Sequence, residues 1–254
     1  MPPQEGHRGR HPRDNALFAP KWIPLLRSAV QDMSFLLTRR YAETAALKLV
    51  GDHYQLTTRH RRAVLRASCS DQSLEHRRSH EVCTRALRGQ PMVIDGYNLL
   101  IAAESILSGG VLLRGRDGCV RDMASVHGSY RKVVETGAAI RLIGAVLETC
   151  APAPVCWFFD KPVSNSGRLK EMMIAIAKEP GWDWDIRLIN QVDATVASSD
   201  AIAVSSDGWI LDRANRWCNV TDLLLERANA AGQVIDLRQE PQTQPGCIDV
   251  SSGE

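Results

Sequence analysis

No run of apolar residues in the 254-residue chain approaches the roughly 20 needed to span a bilayer, so no membrane partner is expected. The first residues lack the apolar core of a secretory signal, which points to the cytoplasm. C-x-x-C pairs are missing as well. The seven cysteines (Cys69, Cys83, Cys119, Cys150, Cys156, Cys218 and Cys247) are scattered and odd in number, which argues against a disulfide framework or a structural zinc site. They read as small buried hydrophobes or incidental surface thiols. What remains is an ordinary globular balance, 44% apolar and 24% charged, long enough for two small domains or one large one.

The net charge of +2 hides an asymmetry. Residues 1–90 hold 16 Lys and Arg against 8 Asp and Glu, and the remainder holds 15 against 21. A basic part joined to an acidic part suggests a nucleic-acid-facing module beside a metal-binding one, although two differently charged solvated surfaces would give the same count.

Residues 1–22 have almost no apolar periodicity and read as a weakly basic, disordered tail. From Pro24 the spacing becomes helical, with Leu26, Val30, Met33 and Leu37 on one face. A second helix over Tyr41–Val50 is expected to end at Gly51 as its C-cap. A third is capped by Thr57 or Thr58, with Ala63, Val64 and Ala67 as its apolar side, and a fourth runs from a cap at Asp71 or Ser73 to about Leu87. The third helix carries Arg59, His60, Arg61, Arg62 and Arg66 within two turns. Arg59 and Arg62 are candidate contacts to a nucleic-acid backbone; the alternative is internal pairing or simple solvation.

Gly89-Gln90-Pro91 marks the boundary between a small all-α domain (23–89) and an α/β domain (90–238), with a polar tail over 239–254. Met92, Val93 and Ile94 suit a strand buried on both faces, and Gly96 permits a tight exit from it. Residues 97–107 look helical, 108–122 read as a loop, and 123–149 hold one or two helices stopped by Pro152 and Pro154. Further strands are expected over 155–159, 184–189, 201–204 and 233–237, with helices over 168–178 and 221–231. Strands separated by helices imply a mainly parallel sheet flanked by helices.

Three of these strands run into aspartate: Asp95, Asp160 and, after Ser205 and Ser206, Asp207. In a parallel sheet such ends share one edge, and carboxylates brought together there need a counter-charge. With oxygen ligands only, Mg²⁺ or Mn²⁺ is favoured over zinc. Ser164, Ser166 and Arg168 follow Asp160 and could hold a substrate phosphate at the start of the next helix, or form an ordinary turn and cap.

Ile94-Asp-Gly-Tyr-Asn-Leu99 resembles the opening motif of the NYN branch of the PIN-like nuclease superfamily, and Val204-Ser-Ser-Asp207 resembles a later strand of those domains. That resemblance implies a PIN-like fold and a metal-dependent ribonuclease acting on RNA. Asp95 would then be a metal ligand, Asn98 would orient it or touch the scissile phosphate, and Asp207 would complete the site. Asp160 is a looser match, with Asp212, Asp193 and Asp200 as alternatives for a remaining acidic position. PIN-like nucleases usually draw one more acid from the helices after the first strand, where Glu104, Asp122 and Glu135 are available. An RNA-binding module that kept the fold without cutting is the competing reading, and self-association is left open. A haloacid-dehalogenase-type phosphatase is disfavoured because position 97 is Tyr where a second aspartate would be needed.

Overall fold

The computed structural model describes residues 7, 9, 11–124 and 130–239. Five helices open it: α1 (Asp14–Leu17), α2 (Ile23–Thr38), α3 (Glu43–His53), α4 (Thr58–Ala67) and α5 (Asp71–His80). The Leu26, Val30 and Met33 stripe is buried against Ala46, Val50, Ala63 and Val64. Residues 11–22 are folded rather than a tail: Asp14 is buried, and Phe18 packs into the helical core. The expected tail residues 1–6, 8, 10 and 240–254, and residues 125–129 of the expected 123–149 helices, lie outside the described residues.

Three local expectations are corrected. Gly51 does not end α3 but sits inside it, because the Arg61 guanidinium occupies the space a Cβ would fill. The cap of α5 is Ser70, whose hydroxyl accepts the Ser73 amide at 3.0 Å, and the helix stops at His80, well short of Leu87. Thr57 caps α4 as expected, accepting the His60 amide.

The α/β part begins with β1 (Met92–Asp95), α6 (Gly96–Leu107), β2 (Leu112–Arg114), β3 (Val120–Asp122) and α7 (Thr136–Cys150). It continues through β4 (Val155–Asp160), α8 (Ser166–Lys178), β5 (Trp184–Ile189), α9 (Val192–Ala197) and β6 (Ile202–Val204). It closes with α10 (Gly208–Leu211), α11 (Thr221–Arg227) and β7 (Val234–Asp236). The main sheet is fully parallel in the order β5-β4-β1-β6, with Ile94 beside Trp157 and Val204. Alternation along the strands divides the burial: Met92, Ile94, Trp157 and Phe159 enter the core beneath α6, α7 and α8, while Val93, Phe158 and Ala203 pack on α9 and α10. Within the described residues no helix is long and apolar enough to cross a membrane.

The stretch 108–122 is not a loop. It forms the antiparallel pair β2–β3, and β7 adds to β2 in parallel, so 233–237 leaves the main sheet for a second, three-stranded one. Strands of three residues are too short for a period of two to stand out from their glycine-rich surroundings. Strands β2 and β3 of this small sheet are largely buried, and β7 is half-buried. Leu112 and Val120 face the α/β core, whereas Val111, Leu113, Met123 and Leu237 complete the helical core. The two parts therefore share a layer and are not independently closed units.

Gly96 has a different role from the one the sequence suggests. It starts α6 without a left-handed φ, and a Cβ there would stand 2.5 Å from the Phe159 ring. Gly96→Ala should lose about 1–3 kcal/mol through overpacking. Gly167→Ala, in α8 with nothing within 4 Å of the added carbon, should gain up to about 1 kcal/mol. Urea denaturation of the two variants checks the contrast, and equal effects would refute the packing account.

Candidate active site at the carboxyl edge of the sheet

β1 delivers Asp95 to the start of α6, where one carboxylate oxygen accepts the Asn98 amide at 3.4 Å. The other accepts the Ser205 hydroxyl at 2.9 Å, and Ser205 Oγ in turn accepts the Asp207 amide at 3.0 Å. Asn98 Oδ1 takes both the amide and the hydroxyl of Ser206, at 2.8 and 3.0 Å. Asp207 caps α10 by accepting the Trp209 and Ile210 amides. The ends of β1 and β6 are thus stitched by Asp95–Ser205 and Asn98–Ser206. The serines carry the connection; in the sequence only their place before Asp207 hinted at it.

A buried ion cluster positions the same turn from behind. Asp117, between β2 and β3, accepts Arg121 at 2.6 and 2.8 Å and also Arg77 of α5. Arg121 donates onward to the Ser206 carbonyl at 2.7 Å, and Arg77 to Asp212 and the Gly208 carbonyl. The two guanidiniums hold the Asp117 carboxyl well below the usual carboxylate range despite its burial. Asp212 is consequently an arginine partner, 2.7 Å from Arg77 Nε, and it lines the same cavity as Asn98 and Asp207.

Asp193, in the first turn of α9, reaches that edge instead, within the electrostatic field of both Asp207 and Asp160. Asp200 precedes β6 and so belongs to the opposite, amino edge. Burial pushes Asp95 up to about 7; the Ser205 hydroxyl pulls it down, Asp193 and Asp207 add repulsion, and the Asn98 amide again lowers it. Asp160 and Asp193 are also raised, chiefly by desolvation. Among the described residues, no Lys, Arg or His forms an ion pair with Asp95, Asp160, Asp193 or Asp207.

This donor set suits a hard divalent cation in its chemistry, being oxygen-only and without a counter-charge. It is not a closed cage: among the described residues no three His, Cys, Asp or Glu side chains stand close enough to hold a metal ion. The expected Asp95, Asp160 and Asp207 triad is therefore not assembled, because Asp95 and Asp207 are each spent partly on capping their own helix.

The other expected residues are dispersed. Glu104 is buried and accepts the hydroxyls of Thr136, at 2.6 Å, and Tyr130; Asp122 faces Arg66; Glu135 meets His7 at 2.7 Å. None joins Asp95. Ser164 and Arg168 are exposed, while Ser166 is buried with its hydroxyl toward the Lys161 carbonyl. The basic face of α4 is largely consumed inside the protein. Arg59 is clamped by buried Asp14, Arg61 by Asp52 and the Leu56 carbonyl, and Arg66 by the Asp122 and Ala124 carbonyls. His60 is buried against the Leu17 carbonyl, and Arg62 is half-buried.

A family profile described as "Domain of unknown function (DUF5616)" matches residues 84–223, more than half of the chain. The chain belongs to the DUF5616 family. The DUF5616 region contains Asp95, Asn98, Asp160, Asp193 and Asp207 but not the α5 arginine that braces their edge. Residues 25–80 match a second profile, "Protein of unknown function (DUF434)", which covers α2–α5. An uncharacterised protein of Methanocaldococcus jannaschii is 24% identical over 201 residues, 79% of this chain and 95% of the relative. No solved structure matches the chain.

Two predictions follow from the charges of this DUF5616 site. A carboxyl raised to about 7 binds a proton in the folded protein that the unfolded chain, titrating near 4, has released. Stability of metal-free protein should therefore fall as pH rises from about 4 to 7 and stay lower above it. Asp95→Asn should remove that part of the pH dependence and be more stable than the native chain at pH 8, on the order of a few kcal/mol. Melting temperatures in EDTA check this, and equal stability at pH 8 would refute the raised carboxyl. Asp117→Asn, which leaves two buried guanidiniums underpaired, should instead cost about 3–5 kcal/mol.

Proposed function

We propose that this protein is a metal-dependent ribonuclease of the PIN-like, NYN type, hydrolysing RNA phosphodiester bonds at the Asp95 edge. The observation that carries the reading is the gathering of Asp95, Asp160, Asp193 and Asp207 at one sheet edge with no cationic side chain paired to any of them among the described residues. Mg²⁺ or Mn²⁺ would sit at this edge on one or two of these carboxylates, with water and phosphate oxygens filling the other positions, since no three of them stand within reach of one ion. A bound ion supplies an acidified water and stabilises charge on phosphate oxygens. The chain's own contribution is positioning: Ser205 aims the Asp95 carboxylate, and Asn98 holds the Ser206–Asp207 turn against β1. The six described cysteines are all free thiols, in keeping with a reducing cytoplasm.

The second reading, an RNA-binding module that does not cut, is favoured by the open spacing of the carboxylates. The full chain, incubated with labelled single-stranded RNA in Mn²⁺, Mg²⁺ or EDTA, separates the two. Cleavage in Mn²⁺ or Mg²⁺, its absence in EDTA, and a loss on the order of 100-fold or more in Asp95→Asn are expected. Binding without cleavage under every condition would sustain the second reading and overturn the first.

A further inference from the structure

A tryptophan ring carries a large apolar area, and five of the six in this chain are buried or half-buried. Trp209 is the exception, with 45% of its surface exposed. It belongs to α10, two residues after Asp207, and its backbone is held firmly there. The Asp207 carboxylate accepts the Trp209 amide at 2.8 Å, and the Arg213 side chain donates to the Trp209 carbonyl at 3.0 Å. Arg77 of the buried ion cluster holds the Gly208 carbonyl just before it. The Arg213 guanidinium also lies over the indole, 4.1 Å from the ring centre. An exposed ring and a guanidinium plane, stacked and held beside the acidic edge, make a platform for a flat ligand.

The platform lines a cavity of about 650 Å³, whose wall also carries Asn98 and Asp207. That volume is in the range of small-ligand sites. The helical part supplies more of the wall through Leu65 and Arg66 of α4, so the cavity belongs to both family-matched regions. Its lining holds four arginines and four carboxylates, a balance that does not by itself select an anion. Its distinguishing feature is a flat stacking surface beside hydrogen-bonding groups. A nucleobase has the matching properties, faces that stack and an edge that hydrogen-bonds. Arg213 and Arg66 donate to backbone carbonyls, which do not cancel a charge, and the Asp122 carboxylate is 4.0 Å from Arg66. The phosphates flanking such a base would therefore meet cations in the same cavity.

We propose that this cavity seats an unpaired base of the RNA, stacked on the Trp209–Arg213 pair, and so brings a neighbouring phosphate to Asp207. That ligand rests on the ribonuclease reading, and the seat narrows it to single strands, because a base inside a duplex has both faces covered by its neighbours. Stacking on an indole accepts every base, so little sequence preference is expected.

Anisotropy of a labelled single-stranded RNA on the full chain in EDTA reads binding without cleavage. Trp209→Ala should weaken it about tenfold or more with the salt slope unchanged, and Trp209→Phe should restore most of the affinity. Phe35→Ala is the matched control. Phe35 is 54% exposed with the Arg39 guanidinium 4.4 Å from its ring centre, but it lies on α2 outside this cavity, and its loss should leave affinity unchanged. An RNA of the same length with abasic sites throughout should bind the native and Trp209→Ala chains alike. RNA should also quench the tryptophan emission of the native chain, and Trp209→Phe should abolish that quenching, which a merely structural role would not do.

Where cleavage is measurable, KM should rise in Trp209→Ala with kcat largely kept. Binding that depends on Trp209 without cleavage would sink the nuclease reading and leave the base seat standing. Equal affinity in the native and Trp209→Ala chains, a loss shared by the abasic RNA or by Phe35→Ala, or quenching that survives in Trp209→Phe would overturn the seat even in an active enzyme.

Discussion

Asp117 and its two arginines are the constraint on which the arrangement of this protein rests. A carboxylate in the turn of a six-residue strand pair draws Arg77 from the helical part and Arg121 from β3 into an almost water-free position. Burying three charges costs several kcal/mol per ion and returns stability only when the hydrogen bonds are complete. Here every guanidinium nitrogen of both arginines donates: beyond Asp117, Arg77 reaches Asp212 and the Gly208 carbonyl, and Arg121 reaches the Ser206 carbonyl. The same bonds brace the turn of the chain as it leaves β6, through the Ser206 and Gly208 carbonyls on either side of Asp207. Gly208 belongs to this arrangement, since a Cβ there would meet Arg77 Nη2 at 2.9 Å.

On the far side of that turn the electrostatics are reversed. Arg77 and Arg121 are paired with Asp117 and Asp212 behind the Ser206–Asp212 segment, whereas in front of it Asp95 and Asp207 accept only hydroxyls and amides. Asp95 bears the consequence, as a buried carboxylate with two hydrogen-bond donors and two acidic neighbours. Such a group opposes folding in its ionised form and favours whatever brings a counter-charge. Stability given up at one spot and made up by a rigid ion cluster a few residues away is the pattern expected of a binding or catalytic edge.

Much of this was legible in advance. Helical spacing of Leu26, Val30 and Met33, apolar runs at 92–94, 155–159 and 202–204, and aspartates after three strands were enough to give a parallel α/β sheet with acids on one edge. Misreadings fell where local pattern and tertiary need diverge. Gly51 and Gly96 look like conformational glycines but are small because Arg61 and Phe159 fill the adjoining space. The arginines of α4 look like a nucleic-acid face but Arg59, Arg61 and Arg66 are held by Asp14, Asp52 and the backbone carbonyls of Leu56, Asp122 and Ala124. Strands β2, β3 and β7 escape a periodicity argument because each contributes only three residues, and their partners lie up to about 120 positions away.

The sequence by itself determined the helical opening, the parallel core and the placement of Asp95, Asp160 and Asp207 at one edge. Those follow from the apolar period and from the right-handed crossover rule, both of which act over short stretches of chain. Only the tertiary structure decided that Asp193 rather than Asp200 stands with them, that Arg77 takes Asp212, and that Ser205 and Ser206 lock the edge. Each of those depends on which distant side chain neutralises which charge, and that is settled when the second sheet brings the helical and α/β cores together.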